Sequence, residues 1–177
     1  MESGCSILTI YKLDDFKNKP WTELKNRIIQ GDALELLRKL PDNSVDLVLT
    51  DPPYKINSGG HSCGYISFRN TDEMMEKYSD GFDLIILAEF LRVLKKANFF
   101  IFCSNDQLVD IISFGKSRGF YTTVLILNKE NCAPFANNVW RQDIEFCIHI
   151  REKGAYFEGG ADIKRKVTNI KPKKNLS

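Results

Sequence analysis

The chain has 177 residues, of which 43% are hydrophobic and 27% charged, and a formal net charge of +2 at pH 7. Its length is enough for one domain with a hydrophobic core, and its composition is that of an ordinary soluble globular protein. An apolar run long enough to span a bilayer and a signal-peptide pattern are both absent from the sequence, so we expect no association with a membrane.

The first half of the chain predicts two strands and a helix. Residues 27–30 are strand-like and end at Gly31 and Asp32, and Asp32 is a good N-cap for the segment that follows. That segment has an apolar stripe at helical spacing, which predicts a helix ending at Pro41. The second strand is predicted at residues 45–50.

The second half continues the alternation after a polar, glycine-containing stretch at 55–80, which is typical of a mobile loop or lid. Helical periodicity predicts helices at 82–96 and 106–118, and Gly119 is suited to the C′ position of the second. Continuous apolar runs predict strands at 99–103, 122–127 and 144–150.

This alternation predicts an α/β fold, a mostly parallel sheet with helices on its faces. Its last two strands are separated by a loop alone, so they should form an antiparallel hairpin at the edge. We expect one domain over residues 1–177, in which the lysine-rich segment 163–177 is a basic tail.

The most informative motif is Asp51-Pro52-Pro53-Tyr54, which directly follows the strand predicted at 45–50. Ligands of open α/β sheets bind at the carboxyl ends of the strands. The Asp51 carboxylate and the Pro52 carbonyl can accept hydrogen bonds from an aromatic amine, and the Tyr54 ring offers a face for stacking. An ordinary strand-ending turn is the alternative, since Asp and Pro both favour turns.

Other candidate residues have structural interpretations that fit them at least as well. The five cysteines are scattered and lack a C-x-x-C pair, which favours a reducing, cytoplasmic setting with Cys103 and Cys147 as buried thiols. No metal site is expected, because a metal would need more ligands than the loop offers. His61 and Cys63 are interpreted as loop residues, and His149 as a structural residue. Ser104 could line a pocket or could simply end a strand. Trp140 and Arg141 could contact DNA or belong to a packed loop.

Three stretches together carry a family resemblance: G-D-A-L-E-L-L at 31–37, V-D-L-V-L-T-D-P-P-Y at 45–54, and R-V-L-K at 92–95. They resemble the amino-methylating DNA methyltransferases, and in particular the circularly permuted (beta-type) N6-adenine/N4-cytosine branch. In that branch the catalytic half precedes the cofactor half. The resemblance covers residues 28–154.

The resemblance implies a Rossmann-like methyltransferase sheet, S-adenosyl-L-methionine as cofactor and DNA as substrate. Asp51, Pro52, Pro53 and Tyr54 would be catalytic, and Asp-Pro-Pro-Tyr is more usual for adenine N6 than for cytosine N4. Gly31 and Asp32 match the family position that binds the cofactor adenine. Gly31 would allow close backbone approach there, with a simple turn as its alternative, and the alternative role of Asp32 is the N-cap of the following helix.

One family element is absent from the sequence: the F-x-G-x-G cofactor loop. In the family's sheet, two strands of that half lie between the strand at 28–30 and the strand that carries Asp51. Without them, we expect the strand that carries Asp51 to have an open apolar edge. We therefore expect a fragment or a split enzyme, with a second chain or a homodimer covering this edge.

Two other classes of function remain open. An RNA base or protein-glutamine methyltransferase would use a related motif, but these families place a glycine-rich cofactor strand before it. A catalytically silent nucleic-acid-binding module would keep the base pocket and lack the cofactor site. Methylation assays on DNA and RNA would separate these alternatives.

Overall fold

The computed structural model of the chain describes residues 9–54, 81–130, 143–155 and 164–170. Several expectations concern residues outside these ranges: the loop or lid at 55–80 with His61 and Cys63, the loop with Trp140 and Arg141, and the tail residues 171–177.

The described part of the chain alternates between strands and helices. Its strands are β1 (Ile10–Lys12), β2 (Ile28–Gln30), β3 (Val48–Thr50), β4 (Asn98–Cys103), β5 (Tyr121–Lys129), β6 (Ile144–Arg151) and β7 (Val167–Ile170). Its α-helices are α1 (Ala33–Lys39), α2 (Ile85–Val93) and α3 (Asn105–Ser117). Two short 3-10 helices, Leu13–Phe16 and Trp21–Leu24, connect β1 to β2.

The main sheet has five strands in the order β3-β4-β6-β5-β7. β3 is parallel to β4 and β7 is parallel to β5, whereas β6 is antiparallel to both β4 and β5. Four strands therefore run in one direction and β6 runs against them, which confirms the predicted α/β fold with a mostly parallel sheet and an antiparallel hairpin. The β5-β6 hairpin is not at the edge, however, because β7 pairs with the outer side of β5.

Strand β7 was not expected from the sequence. The segment 163–177 was predicted to be a tail, but Val167–Ile170 pairs with Ile126–Lys129 of β5, and the Ile126 N–H donates to the Lys166 carbonyl at 2.7 Å. For these residues the tail prediction is wrong. Without β7, the outer N–H and C=O groups of β5 would form an unpaired edge, and β7 pairs with the last four residues of that edge.

The two predicted strands nearest the motif lie in different sheets. β2 pairs with β1 in a separate two-stranded sheet, and β3 is the first strand of the main sheet. Among the described residues, β3 pairs with β4 alone, and Leu49 in its centre is 68% exposed. The expectation of an open apolar edge on β3 is therefore confirmed for the described part of the chain.

The core lies between one face of the main sheet and the helices. Phe99 and Ile101 of β4 and Ile148 and Ile150 of β6 are fully buried, and the Phe90 ring of α2 lies 5.7 Å from that of Phe99. Side chains alternate between the faces of a strand, so Phe100 and Phe102 point to the other face. Both are only half-buried.

Arg92, near the end of α2, ties α1 to the rest of the fold. Its guanidinium donates to the carbonyl oxygens of Leu37 and Leu40 at 2.7 and 2.8 Å. It also pairs with the carboxylates of Asp42 and Glu89, each at 2.7 Å. Because the last carbonyls of a helix lack intrahelical partners, Arg92 caps α1 while it holds α1 against α2.

On the other face of the sheet, His149 of β6 is 5% exposed. Its ring stacks on Phe100 with centroids 3.9 Å apart, and its Nε2 lies 3.0 Å from Asn98 Oδ1. These contacts agree with the structural role predicted for His149.

We expect His149 to make the protein less stable as the pH falls. Burial, and to a lesser extent the charge of Arg151, lower the pKa of His149 to about 4. An unfolded histidine titrates near 6.5, so between these values the unfolded chain binds the extra proton and is favoured. From pH 7 to pH 5 this should remove about 2 kcal/mol from the free energy of unfolding.

Urea unfolding of the wild type and of His149→Gln at both pH values measures this loss. The variant keeps the other titrating groups and should lose less stability between pH 7 and pH 5. Equal losses in the two proteins would contradict the prediction.

Candidate active site

The motif Asp51-Pro52-Pro53-Tyr54 begins directly after β3, at the carboxyl end of that strand. Because β3 and β4 are parallel, the end of β4 and the start of α3 lie at the same edge of the sheet. The register between the two strands stops at the pair Thr50 and Ile101, so the motif lies beyond the sheet hydrogen bonds.

Asp51 and Tyr54 are in contact within the motif. Asp51 is exposed and Tyr54 is half-buried. Burial, followed by a hydrogen bond to Asp51 and the charge of that carboxylate, raises the pKa of Tyr54 well above its ordinary value. The phenol therefore stays protonated at neutral pH and acts as the donor to the Asp51 carboxylate.

Gln107, in the first turn of α3, joins the motif to the end of β4. Its Oε1 accepts from the Ser104 N–H at 3.1 Å and from the Ser104 hydroxyl at 3.2 Å. Its Nε2 donates to the Pro53 carbonyl at 3.3 Å. The sequence analysis missed Gln107, although the Ser104-x-x-Gln107 spacing is that of a capping box and could have indicated it. Ser104 itself is the N-cap residue of α3.

Gly31 and Asp32 lie at the end of β2, outside the main sheet. A Cβ on Gly31 would lie 2.6 Å from the Cβ of Leu13, so Gly31 allows a close approach of the first 3-10 helix. Asp32 Oδ1 accepts from the Glu35 N–H at 2.9 Å, which makes Asp32 the N-cap of α1. The N-cap role weighed as the alternative for Asp32 is therefore realised.

Cys103 and Cys147 are free, buried thiols, as predicted. Burial raises the pKa of Cys103 to about 12 and that of Cys147 to about 11. Since the thiolate is the nucleophilic form, neither residue is suited to covalent catalysis at neutral pH.

The described residues contain neither a metal site nor a membrane-spanning helix. No group of three or more His, Cys, Asp or Glu side chains in the described ranges is arranged to hold a metal ion. None of the helices there has the length and apolar character needed to cross a membrane.

Sequence comparison finds DNA methyltransferases, although no protein-family model matches the chain. The type II methyltransferase M.BglII of Bacillus subtilis is 40% identical over 70 residues, which make up 40% of this chain and 17% of that protein. The DNA adenine methyltransferase YhdJ of Escherichia coli strain K12 is 41% identical over 75 residues, or 39% of this chain and 21% of that protein. Across four such relatives, the chain matches between 17% and 53% of the relative's own length.

Structural comparison agrees on the fold. The crystal structure of M1.HpyAVI aligns with a TM-score of 0.52 and 19% identity, over 91% of this chain and 68% of that one. Its complex with SAM aligns with a TM-score of 0.50 and 20% identity, over 86% and 60% of the two chains. In sequence the chain is therefore similar to DNA methyltransferases, one of them adenine-specific, and it shares the α/β fold of M1.HpyAVI.

Proposed function

We propose that this chain carries the base-binding catalytic site of a site-specific DNA methyltransferase, which transfers a methyl group from S-adenosylmethionine to the exocyclic N6 of adenine. The observation that carries the proposal is the exposed Asp51 carboxylate beside the Tyr54 ring at the carboxyl end of β3. Ligands of α/β sheets bind at such strand ends. The sequence similarity to M.BglII and YhdJ supports the reaction class.

In this proposal Asp51 and the Pro52 carbonyl orient the amine of the target base. An adenine amine is a poor nucleophile because its lone pair is delocalised into the ring. Two hydrogen bonds, one to the Asp51 carboxylate and one to the Pro52 oxygen, favour a pyramidal nitrogen whose lone pair is less delocalised into the ring. No covalent intermediate with the enzyme is needed.

The contact between Asp51 and Tyr54 is compatible with this role. A carboxylate has about four lone-pair sites, so Asp51 can accept from the Tyr54 hydroxyl and from the amine at the same time. The Tyr54 ring, held by that bond, would stack on the base after it leaves the duplex. Such stacking offsets part of the few kcal/mol that unstacking costs.

The described residues fit one end of the cofactor. S-adenosylmethionine would supply the methyl group. Asp32 is exposed, and its Oδ1 already holds the N-terminus of α1. Its second carboxylate oxygen has lone pairs for the amino group of the cofactor adenine. The F-x-G-x-G loop is absent from residues 1–177, so we propose that residues outside this range hold the methionine end, with residues 1–177 as one incomplete catalytic domain.

We further propose that a second chain or a second copy of this chain covers the β3 edge. Leu49 at this edge is 68% exposed, and its cross-strand neighbour is Phe100 on the half-buried face of the sheet. An exposed apolar edge strand is a template for pairing with another chain.

Leu49→Lys should weaken any self-association through this edge by about tenfold or more, since burying a leucine contributes about 1.5–3 kcal/mol. Sedimentation velocity over a range of concentrations measures the change. Val109→Lys is the matched control, because Val109 is also an exposed apolar residue, at 70%, but lies on α3. If the wild type stays monomeric, the homodimer is excluded, and a different chain remains as the proposed partner at the β3 edge.

Incubation of the chain, alone and mixed with candidate partner polypeptides, with labelled S-adenosylmethionine and either DNA or RNA tests the reaction itself, with nucleosides analysed by mass spectrometry. We expect N6-methyladenine in DNA when the cofactor site is complete, and turnover by the chain alone would contradict the proposal that its cofactor site is incomplete. N4-methylcytosine would correct the target base, and methylated RNA would favour the RNA alternative.

A further inference from the structure

We infer that Gln107 is a positioning residue that fixes the Asp51–Tyr54 loop in its base-binding shape. This inference rests on the proposed function for its catalytic consequence, and on the hydrogen bonds of Gln107 for its structural part. Gln107 is 7% exposed, although its side chain is an amide in the first turn of a helix. A buried amide is costly unless its donors and acceptor are satisfied.

Both ends of the amide are used, and they hold different elements. Oε1 accepts from the N–H and the hydroxyl of Ser104, which anchors the side chain to the end of β4. Nε2 donates to the Pro53 carbonyl at 3.3 Å. The side chain therefore connects the motif to a rigid strand end through a single planar group.

The two prolines explain why this connection matters. Neither Pro52 nor Pro53 has a backbone N–H, so the middle of the loop cannot be held through backbone donors. The carbonyl groups are the backbone atoms that remain for anchoring. The pairing of β3 with β4 stops at Thr50, one residue before the motif begins. The Gln107 bond to Pro53 thus holds the loop where the sheet no longer does.

The same bond determines where the neighbouring carbonyl points. Proline and the residue before it favour extended or polyproline II geometry. That helix has three residues per turn, so successive carbonyls are rotated by about 120°. With the Pro53 oxygen tied to α3, this geometry would turn the Pro52 oxygen to a different side of the loop, where a ligand could reach it. Gln107 thereby orients an acceptor that it does not touch.

Two variants separate this role from a general effect on folding. Gln107→Glu keeps an oxygen for the Ser104 N–H but replaces the donor to Pro53 with a second oxygen. Gln107→Leu removes both functions at similar volume. Asp110→Asn, at an exposed position on the same helix, is the matched control.

Hydrogen–deuterium exchange of the peptide that contains Thr50, Asp51 and Tyr54 tests the structural part without any reaction. We expect the amides of this peptide to exchange about tenfold faster in Gln107→Glu than in Asp110→Asn at pH 8. Burial at position 107 should raise the pKa of the introduced carboxyl group, and its protonated form can donate to the Pro53 carbonyl. Exchange in Gln107→Glu, corrected for the intrinsic pH effect, should therefore return toward the wild type as the pH is lowered to 5. Gln107→Leu should show faster exchange at both pH values.

Turnover tests the catalytic part. If the wild type methylates DNA, Gln107→Glu should lower kcat by about ten- to a hundredfold with little change in KM, since misplacement by about 1 Å can cost a hundredfold. Unchanged exchange and unchanged turnover in both Gln107 variants would overturn the inference and leave the proposed function standing. Faster exchange with no methylation by the wild type would support the anchoring role while the proposed function fails.

Discussion

Asp51→Ala should reduce methylation of DNA by about a hundred- to a thousandfold, the usual loss when one hydrogen bond that stabilises a transition state is removed. The variant lacks the carboxylate that accepts from the amine and also the acceptor for the Tyr54 hydroxyl. Initial rates with labelled S-adenosylmethionine and an adenine-containing duplex measure the loss, in whichever preparation, alone or with a partner polypeptide, the wild type is active. Stability should change little, because Asp51 is exposed.

Two further variants make this test specific. Asp51→Asn keeps one acceptor oxygen in nearly the same place, so it should retain more activity than Asp51→Ala. Asp46→Ala is the matched control, since Asp46 is an exposed carboxylate close to the same strand and pairs with Lys95 at 2.8 Å. Equal rates for Asp51→Ala and Asp46→Ala would exclude Asp51 from the catalytic site.

Arg92→Ala should lower the free energy of unfolding by about 3 kcal/mol, because it breaks charge-assisted hydrogen bonds in a partly buried place. The Arg92 side chain is 29% exposed, and its removal leaves two α1 carbonyls and the Glu89 carboxylate without this donor. Chemical denaturation monitored by circular dichroism measures the change.

Conservative and surface variants provide the comparison. Arg92→Lys keeps the charge but cannot reach both carbonyls and both carboxylates with one ammonium group, so it should recover only part of the loss. Lys95→Ala removes an exposed ion pair, which contributes about 0–1 kcal/mol. If Arg92→Ala cost no more than Lys95→Ala, Arg92 would be a surface charge and not the cap of α1.

Local patterns predicted the elements of this fold well. The Asp32 N-cap and the apolar stripe after it located α1, and Gly119, with a φ of 73°, follows α3 as the predicted C′ residue. These signals act over a few residues, where capping and periodicity decide the backbone conformation. The open edge of β3 was also anticipated, although that expectation came from the family resemblance.

The order of strands could not be obtained in the same way. β6 was predicted as a strand, yet its place between β4 and β5 depends on contacts with residues 16 or more positions away in the chain. β7 was missed, because the lysine-rich sequence around it indicates solvent and its pairing with β5 is a tertiary contact.

The same distinction between local signals and long-range contacts applies to the candidate site. The residues from Asp51 to Tyr54 could be identified from sequence because the chemistry of the motif is carried by four consecutive residues. The capping-box spacing could have indicated Gln107 but not its bond to Pro53, since that bond joins residues 54 positions apart. Neighbouring residues determine short-range hydrogen bonds and periodicity, so these can be predicted from sequence. The anchoring of a loop and the order of strands in a sheet depend instead on which distant groups come into contact after the chain has folded.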